Sequence, residues 1–270
     1  MPRRHGFQLP YHPLQICAWA AVLLMLFLSF FVVQRSLSPT LQVVFLCLYS
    51  PTQFAVLVLG GVLTAWDPTD PVVYRHREAL EIGTGFPEDQ YSMICTACGT
   101  NVSAEAKHCS RCDRCVSSFD HHCKWLNNCI GECNYRSFCA LLASLWLCCT
   151  AQLTFALVAL TQESEDTVIQ GSAEKTLLVL DAVLAGIALL GVSHLSVFHI
   201  WLRCKGLTTY EFIKRRRERR VQIGTMQQLP HIDKVTQETQ ADHTRKADET
   251  DITHKIDDSA LIATEGAPTS

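Results

Sequence analysis

Apolar residues along this chain fall into four long blocks, separated by polar segments of very unequal length. Leu14–Val33 runs for twenty residues with Gln15 as its one strongly polar member. Leu41–Trp66 and Phe138–Leu160 carry no formal charge, and Leu177–Leu202 holds one acid, Asp181, with His194 and His199. A helix needs about 20 apolar residues to cross a bilayer. The pattern therefore predicts transmembrane helices over residues 14–33, 41–66, 138–160 and 177–202, and four such runs argue against a soluble helical protein. The first block is longer than a signal core and no small-residue cleavage site follows it before Gln34-Arg35, so it is expected to stay as an anchor.

The polar segments add orientation. Arg3 and Arg4 lie in residues 1–13. Arg75, Arg77, Lys107, Arg111, Arg114, Lys124 and Arg136 lie in residues 67–137, and Arg203, Lys205 and the run from Lys214 to Arg220 lie in residues 203–270. The two opposite loops hold only Arg35 and a Lys175 surrounded by acids. The positive-inside bias puts both termini and the long central segment in the cytosol. Asp181 is expected near the non-cytosolic end of its span, exposed to headgroups, and His194 and His199 are read as structural hydrogen-bonding groups. Trp66 and Trp201 suit interfacial belts. Residues 221–270 are polar without aromatics and read as disordered. No internal repeat is evident.

The chain has 14 cysteines and a net charge of −3. Cys17, Cys47, Cys139, Cys148 and Cys149 lie in spans and read as packing residues, though Cys148 and Cys149 could also face a cavity. The sequon at Asn101 lies on the predicted cytosolic side and is discounted. Residues 108–129, with Cys95 and Cys98, hold seven cysteines and three histidines. On the reducing side of a membrane, such a cluster points to metal or catalysis rather than disulfides. The Cys-x2-Cys spacings suit zinc, whose binding would supply the folding free energy that a segment poor in apolar residues lacks. Iron–sulfur ligation is disfavoured by the histidines and the spacing. Two tetrahedral sites need eight ligands, which leaves two of the ten candidates over. In Asp120-His121-His122-Cys123, neighbouring histidines on an extended chain face opposite ways. One can bind metal while the other meets Cys123 as its base, with Asp120 placed to orient that imidazole.

At these residues the chain resembles the DHHC protein S-acyltransferases. The resemblance rests on Asp120-His121-His122-Cys123, Trp125, Asn127-Asn128-Cys129, Gly131, Asn134-Tyr135 and Thr208-Thr209-Tyr210-Glu211, which matches a TTxE motif after the last span. Asp67-Pro68-Thr69 resembles a DPG motif with Thr69 in place of glycine, and His12-Pro13-Leu14-Gln15 with DHHCKWLNNCIG resembles one animal subfamily. Lys124 stands where proline is usual, Val102-Ser103-Ala104-Glu105 replaces a basic-proline segment, and no Asn follows Asn134. The resemblance implies a small cytosolic cysteine-rich domain of β-hairpins (about residues 93–137) on a four-helix membrane protein. It implies one zinc on Cys95, Cys98, His108 and Cys115, and a second on Cys109, Cys112, His122 and Cys129. Asp120, His121 and Cys123 become a catalytic triad, supported by Asn134, Glu211 and a hydroxyl of Thr208 or Thr209. The implied reaction moves a long-chain acyl group from acyl-CoA, through S-acyl-Cys123, to cysteines of membrane-proximal proteins. Lys124, Arg136 and the Lys214–Arg220 run are candidates for the CoA phosphates, although such a run also serves topology or anionic lipid. The implied address is the endomembrane system: endoplasmic reticulum, Golgi or endosome.

Two rival classes fit the residues less well. A nucleic-acid-binding zinc module is opposed by the four spans and the missing finger-helix pattern. A membrane scaffold or adaptor that keeps the zinc fold and binds partners is opposed, as an inactive protein, by the intact Asp120, His121 and Cys123; a protein with both roles, or a homo-oligomer, fits the residues.

Overall fold

The computed structural model describes residues 2–162 and 168–223, apart from the side chains of residues 168–171. Beyond residue 223 the expected disorder of the tail lies outside the described residues. Of the described residues, those up to Phe212 belong to one compact unit and 213–223 to another.

Among the described residues, four helices are long and apolar enough to span a membrane: Pro13–Val33, Pro39–Ala65, Tyr135–Thr161 and Ser172–Cys204. Helix α1 (Pro13–Leu28) starts with Pro13 at its first position, where a missing N–H costs nothing, and the His12 side chain accepts from Leu14 N–H at 3.1 Å. It continues as a π-helical turn, Ser29–Val33. Helix α2 (Pro39–Ala65) contains Pro51. A short helix α3 (Pro71–Ile82) is capped by Asp70 and closed by Gly83 in the left-handed region at φ 73°. After six short strands come α4 (Tyr135–Thr161) and α5 (Val168–Cys204). Helix α4 packs on both α2 and α5. Phe45 illustrates the seam: it stacks on Tyr49 at 4.9 Å and meets Phe155 of α4 edge-on at 5.2 Å.

Asp181 corrects one expectation. It is fully buried in the bundle and accepts from Gln152 Nε2 at 2.6 Å, so it does not face headgroups. A carboxyl within a span needs such a partner. Cys17 and Cys47 also differ from expectation, because both lie exposed on the outer faces of their helices. Cys148 and Cys149 are buried, and Cys148 Sγ lies 3.0 Å from Gln53 Oε1.

The six strands form three antiparallel hairpins: β1 (Met93–Cys95) with β2 (Thr100–Val102), β3 (Lys107–Cys109) with β4 (Arg114–Val116), and β5 (His121–Cys123) with β6 (Asn128–Ile130). Their registers are identical and offset by 14 residues at each step: Met93↔Val102, Lys107↔Val116 and His121↔Ile130. The turn residue at the equivalent place is left-handed each time, at Gly99 (φ 63°), Asp113 (φ 53°) and Asn127 (φ 51°). The domain is thus a threefold repeat over residues 93–134, which overturns the reading that no repeat is present.

The hairpins are seated on one end of the helix bundle. Asn128 Nδ2 donates to the carbonyls of Leu63 at 2.8 Å and Trp66 at 2.7 Å, satisfying acceptors that the end of α2 leaves open. Buried Arg114 reaches Arg4 O at 2.6 Å, Asp67 Oδ1 at 3.2 Å and the Asn128 side-chain carbonyl. Asp70 accepts from Ser103 N–H at 2.7 Å as well as capping α3. The N-terminal segment is tied in by Arg3, which donates to Asn127 Oδ1 at 3.0 Å. Gly6 is needed there: a Cβ would come within 2.2 Å of Leu126 O and 2.9 Å of Thr64 Cγ2.

Candidate active site and metal clusters

The hairpin repeat distributes its donors in a regular way. The first cluster takes Cys95 and Cys98 from hairpin one, with His108 and Cys115 from hairpin two. The second takes Cys109 and Cys112 from hairpin two, with His122 and Cys129 from hairpin three. In each, the knuckle of one repeat meets the histidine and third cysteine of the next. Distances in the first cluster are 3.3 Å for Cys98 Sγ–His108 Nδ1 and 3.5 Å for Cys98 Sγ–Cys115 Sγ. In the second they are 3.3 Å for Cys112 Sγ–His122 Nδ1 and 3.6 Å for Cys129 Sγ–Cys112 Sγ. Donors about 2.0–2.3 Å from a tetrahedral ion sit roughly 3.5–3.8 Å apart, so both sets fit a metal.

The electrostatics agree. Cys109 is held far below the ordinary thiol range by hydrogen bonds from Cys112 and Cys129, while those two are pushed up by Cys109. Negative charge on three packed sulfurs is mutually repulsive, and a divalent cation among them would offset that repulsion. Buried Cys115 in the first cluster is likewise pushed up, by burial and then by Cys95 and Cys98. The Asp113 carboxylate lies 3.7 Å from His108 Nε2, the outward nitrogen of that ring.

Continuing the repeat explains what is left over. A third cluster would need a knuckle in hairpin three, but Leu126 stands at the position of Cys98 and Cys112. It would also need donors at residues 136 and 143, and these are Arg136 and Ala143 in α4. Cys123, the counterpart of Cys95 and Cys109, therefore has no metal set to join. It is buried, and together with Leu126 and Ile130 it packs into the core formed by the helices.

Strand alternation puts His121 and Cys123 on one face of β5, and His122 on the other, toward the second cluster. His121 Nδ1 lies 2.7 Å from Asp120 Oδ2. Asp120 is buried, and it also accepts from Thr209 N–H at 2.9 Å and Thr209 Oγ1 at 2.8 Å. Burial alone would raise the Asp120 carboxyl, but the donors on His121 and Thr209 win and hold it below its usual range. Burial lowers His121, while Asp120 and Cys123 raise it, and the ring ends up at about 9. The arrangement is a thiol, an imidazole and a carboxylate in sequence, with the carboxylate locked from behind.

The motif after the last span divides its labour. Thr209 alone of the two threonines touches Asp120. Thr208 and Glu211 instead form a reciprocal cap, Thr208 N–H to Glu211 Oε2 at 2.9 Å and Glu211 N–H to Thr208 Oγ1 at 3.1 Å, which starts the helical segment 209–223. Asn134 does not join the triad. Its side chain accepts from Gly131 N–H at 2.9 Å and donates to Cys129 O at 3.0 Å, shaping the turn from β6 into α4. Lys124 and Arg136 are both exposed. Asn101 is buried and donates to Tyr91 O at 2.6 Å.

Sequence reasoning gave Asp70, Arg114 and Asn128 no part in seating the domain: Arg114 entered only the charge bias and Asn128 only the family motif, and their partners lie far away in sequence. It also missed that His199 reaches the site. His199 is buried, accepts from or donates to Tyr135 Oη at 3.1 Å, and its ring centroid lies 5.6 Å from that of His121. Phe138 flanks both rings at 5.2 Å and 5.1 Å.

Comparison with known proteins places this geometry. The sequence model of the family described as DHHC palmitoyltransferase matches residues 88–216, which contain both clusters, the triad and Thr209. A curated relative from Arabidopsis thaliana, described as probable protein S-acyltransferase 22, is 32% identical over 111 residues. That stretch covers 39% of this chain and 18% of the relative, so less than a fifth of the relative's length is matched.

Proposed function

Starting from a chain that carries a domain of the DHHC palmitoyltransferase family, we propose that this protein is a membrane-bound protein S-acyltransferase with Cys123 as the acyl carrier. The observation that carries the reading is the unpaired knuckle cysteine, the one repeat position of its kind outside both metal clusters, on the same strand face as a carboxylate-held imidazole.

In the first step Cys123 Sγ attacks the thioester carbon of a long-chain acyl-CoA. A carbon–sulfur bond forms to Cys123 and the bond to the CoA sulfur breaks. His121 takes the Cys123 proton and returns it to the departing CoA thiol. In the second step a cysteine thiol of a membrane-proximal protein attacks S-acyl-Cys123, and His121 moves that proton to Cys123. Asp120 holds the His121 tautomer and stabilises the imidazolium, and Thr209 fixes Asp120. Burial of the alkyl chain among the helices would contribute about 0.8 kcal/mol per methylene.

Zinc is the ion that the two Cys3His sets fit, and its part is to hold the hairpins. Cys95, Cys98, His108 and Cys115 would take one ion, and Cys109, Cys112, His122 and Cys129 the other. The exposed cations Lys124 and Arg136 are candidates for the CoA phosphates, as is the Lys214–Arg220 run. The charge bias supports a cytosolic zinc domain with both termini on the same side, and an endomembrane address follows from the family.

The test is autoacylation of detergent-purified protein with labelled palmitoyl-CoA, wild type beside Cys123→Ser. Hydroxylamine-labile label on wild type alone supports the reading. Absence of label from protein that holds two zincs sinks it and promotes a scaffold.

A further inference from the structure

Three donors at the proposed active site lie close enough together to hold an ion of their own. Asp120, His121 and His199 each offer a ligand atom, and these atoms all lie within 4.8 Å of one another. None belongs to the two cysteine clusters. We propose that Asp120, His121 and His199 form a third, low-occupancy site for a divalent transition cation, zinc by its donor set, and that filling it reversibly switches acyl transfer off.

Two of the donors are neighbours at the start of the third hairpin and the third comes from helix α5, and each is held by its own contacts. Thr209 clamps Asp120 through its N–H and hydroxyl. Strand β5 carries His121. Helix α5 carries His199, whose Nδ1 is engaged by Tyr135 Oη at 3.1 Å, leaving Nε2 as its uncommitted nitrogen. Phe138 packs against both imidazoles, with ring centroids 5.2 Å and 5.1 Å away. Asp120 and His199 are each 4% exposed. Two imidazoles and a carboxylate are an ordinary three-ligand set for zinc with one position left open.

The consequence follows from shared atoms. An ion held by Asp120 and His121 takes the place of the 2.7 Å hydrogen bond between them, so the carboxylate no longer sets the tautomer of the imidazole that is to take the Cys123 proton. The inhibitory effect rests on the acyl-transfer reading, whereas the binding does not. His199 is the handle, because the proposed chemistry makes no use of it.

The experiment uses the full chain in detergent with two zincs bound, titrated with zinc chloride and followed by equilibrium metal content. The wild type should take up a third equivalent, and autoacylation should fall along the same curve and recover with a mild chelator. His199→Gln should keep two zincs and weaken the third at least tenfold, with its inhibition curve shifted equally relative to its own unchallenged rate. Tyr135→Phe, which leaves every donor in place, should keep the third equivalent within a few fold. Cobalt added to the two-zinc protein should give a ligand-field band without thiolate charge transfer. Saturation of the wild type at two equivalents overturns the proposal. So does an unchanged third equivalent in His199→Gln, or a cobalt spectrum dominated by thiolate. A third equivalent in protein that never acylates would sink the acyl-transfer reading and leave the cation site standing.

Discussion

Hairpins two and three share one backbone plan and put it to different ends. Both carry a cysteine at the end of the first strand and a left-handed residue at the turn, Asp113 in one and Asn127 in the other. In hairpin two the knuckle position is Cys112, and its apolar contacts are Val116, Cys109 and Cys129, around a metal cluster. In hairpin three the same position is Leu126, which joins Ile130 and Cys123 in the core of the helix bundle. One substitution class, thiol to aliphatic, moves a hairpin from metal to membrane protein core. It also frees a cysteine. On the proposed reading, the nucleophile arises by subtraction of ligands as much as by addition of a base.

The comparison can be broken at equivalent positions. Cys112→Ala should have the largest effect. It removes a donor from a site type worth about 10–16 kcal/mol in zinc-dependent folds. Zinc content should fall from two to one, and folding of hairpins two and three and all acyl labelling should be lost, as read by metal analysis and labelling. Cys123→Ser should abolish labelling while both zincs and the thermal midpoint stay close to wild type; a lost zinc there would contradict the division of roles. Asp120→Asn should lower the autoacylation rate by about 10²–10⁴ with both zincs retained.

Leu126→Ala sharpens the contrast with Cys112→Ala, because the register position is the same. It should cost about 2–5 kcal/mol as a core cavity, seen in thermal or denaturant unfolding, without releasing metal. Thr209→Val should be mildest. It keeps the backbone donor to Asp120 and loses only the hydroxyl, a charged-acceptor hydrogen bond worth about 1.5–3 kcal/mol. The rate should fall roughly tenfold or somewhat more, while Thr208→Val should leave the site intact and loosen only the helix cap.

Much of this was legible in the chain. Uninterrupted apolar stretches announce membrane helices because hydropathy is additive along a helix, whatever its neighbours are. The ligand surplus around Asp120-His121-His122-Cys123 was legible because zinc has a fixed appetite for four donors. The repeat was hidden, since its equivalent positions change chemistry: Ile94, His108 and His122 align, as do Asn101, Cys115 and Cys129. A search for a constant 14-residue spacing exposes it, in Cys95, Cys109 and Cys123 and in the pairs Cys98/Cys112, His108/His122 and Cys115/Cys129. Asp181 was misplaced because its partner Gln152 sits on another helix, and one-dimensional hydropathy sees no partners. The split between Thr208 and Thr209 needed the turn itself, since either hydroxyl could have faced Asp120.

The measurement that tests the central claim most directly is site mapping of the acyl adduct on the full chain. Purified protein holding two zincs would be incubated with palmitoyl-CoA and digested, and its cysteine peptides read by mass spectrometry. The account predicts a hydroxylamine-sensitive adduct on Cys123 and none on Cys95 or Cys109, its register counterparts. An adduct on Cys109 or another cysteine, with Cys123 unmodified, would contradict the claim that the ligand-free knuckle of hairpin three is the nucleophile.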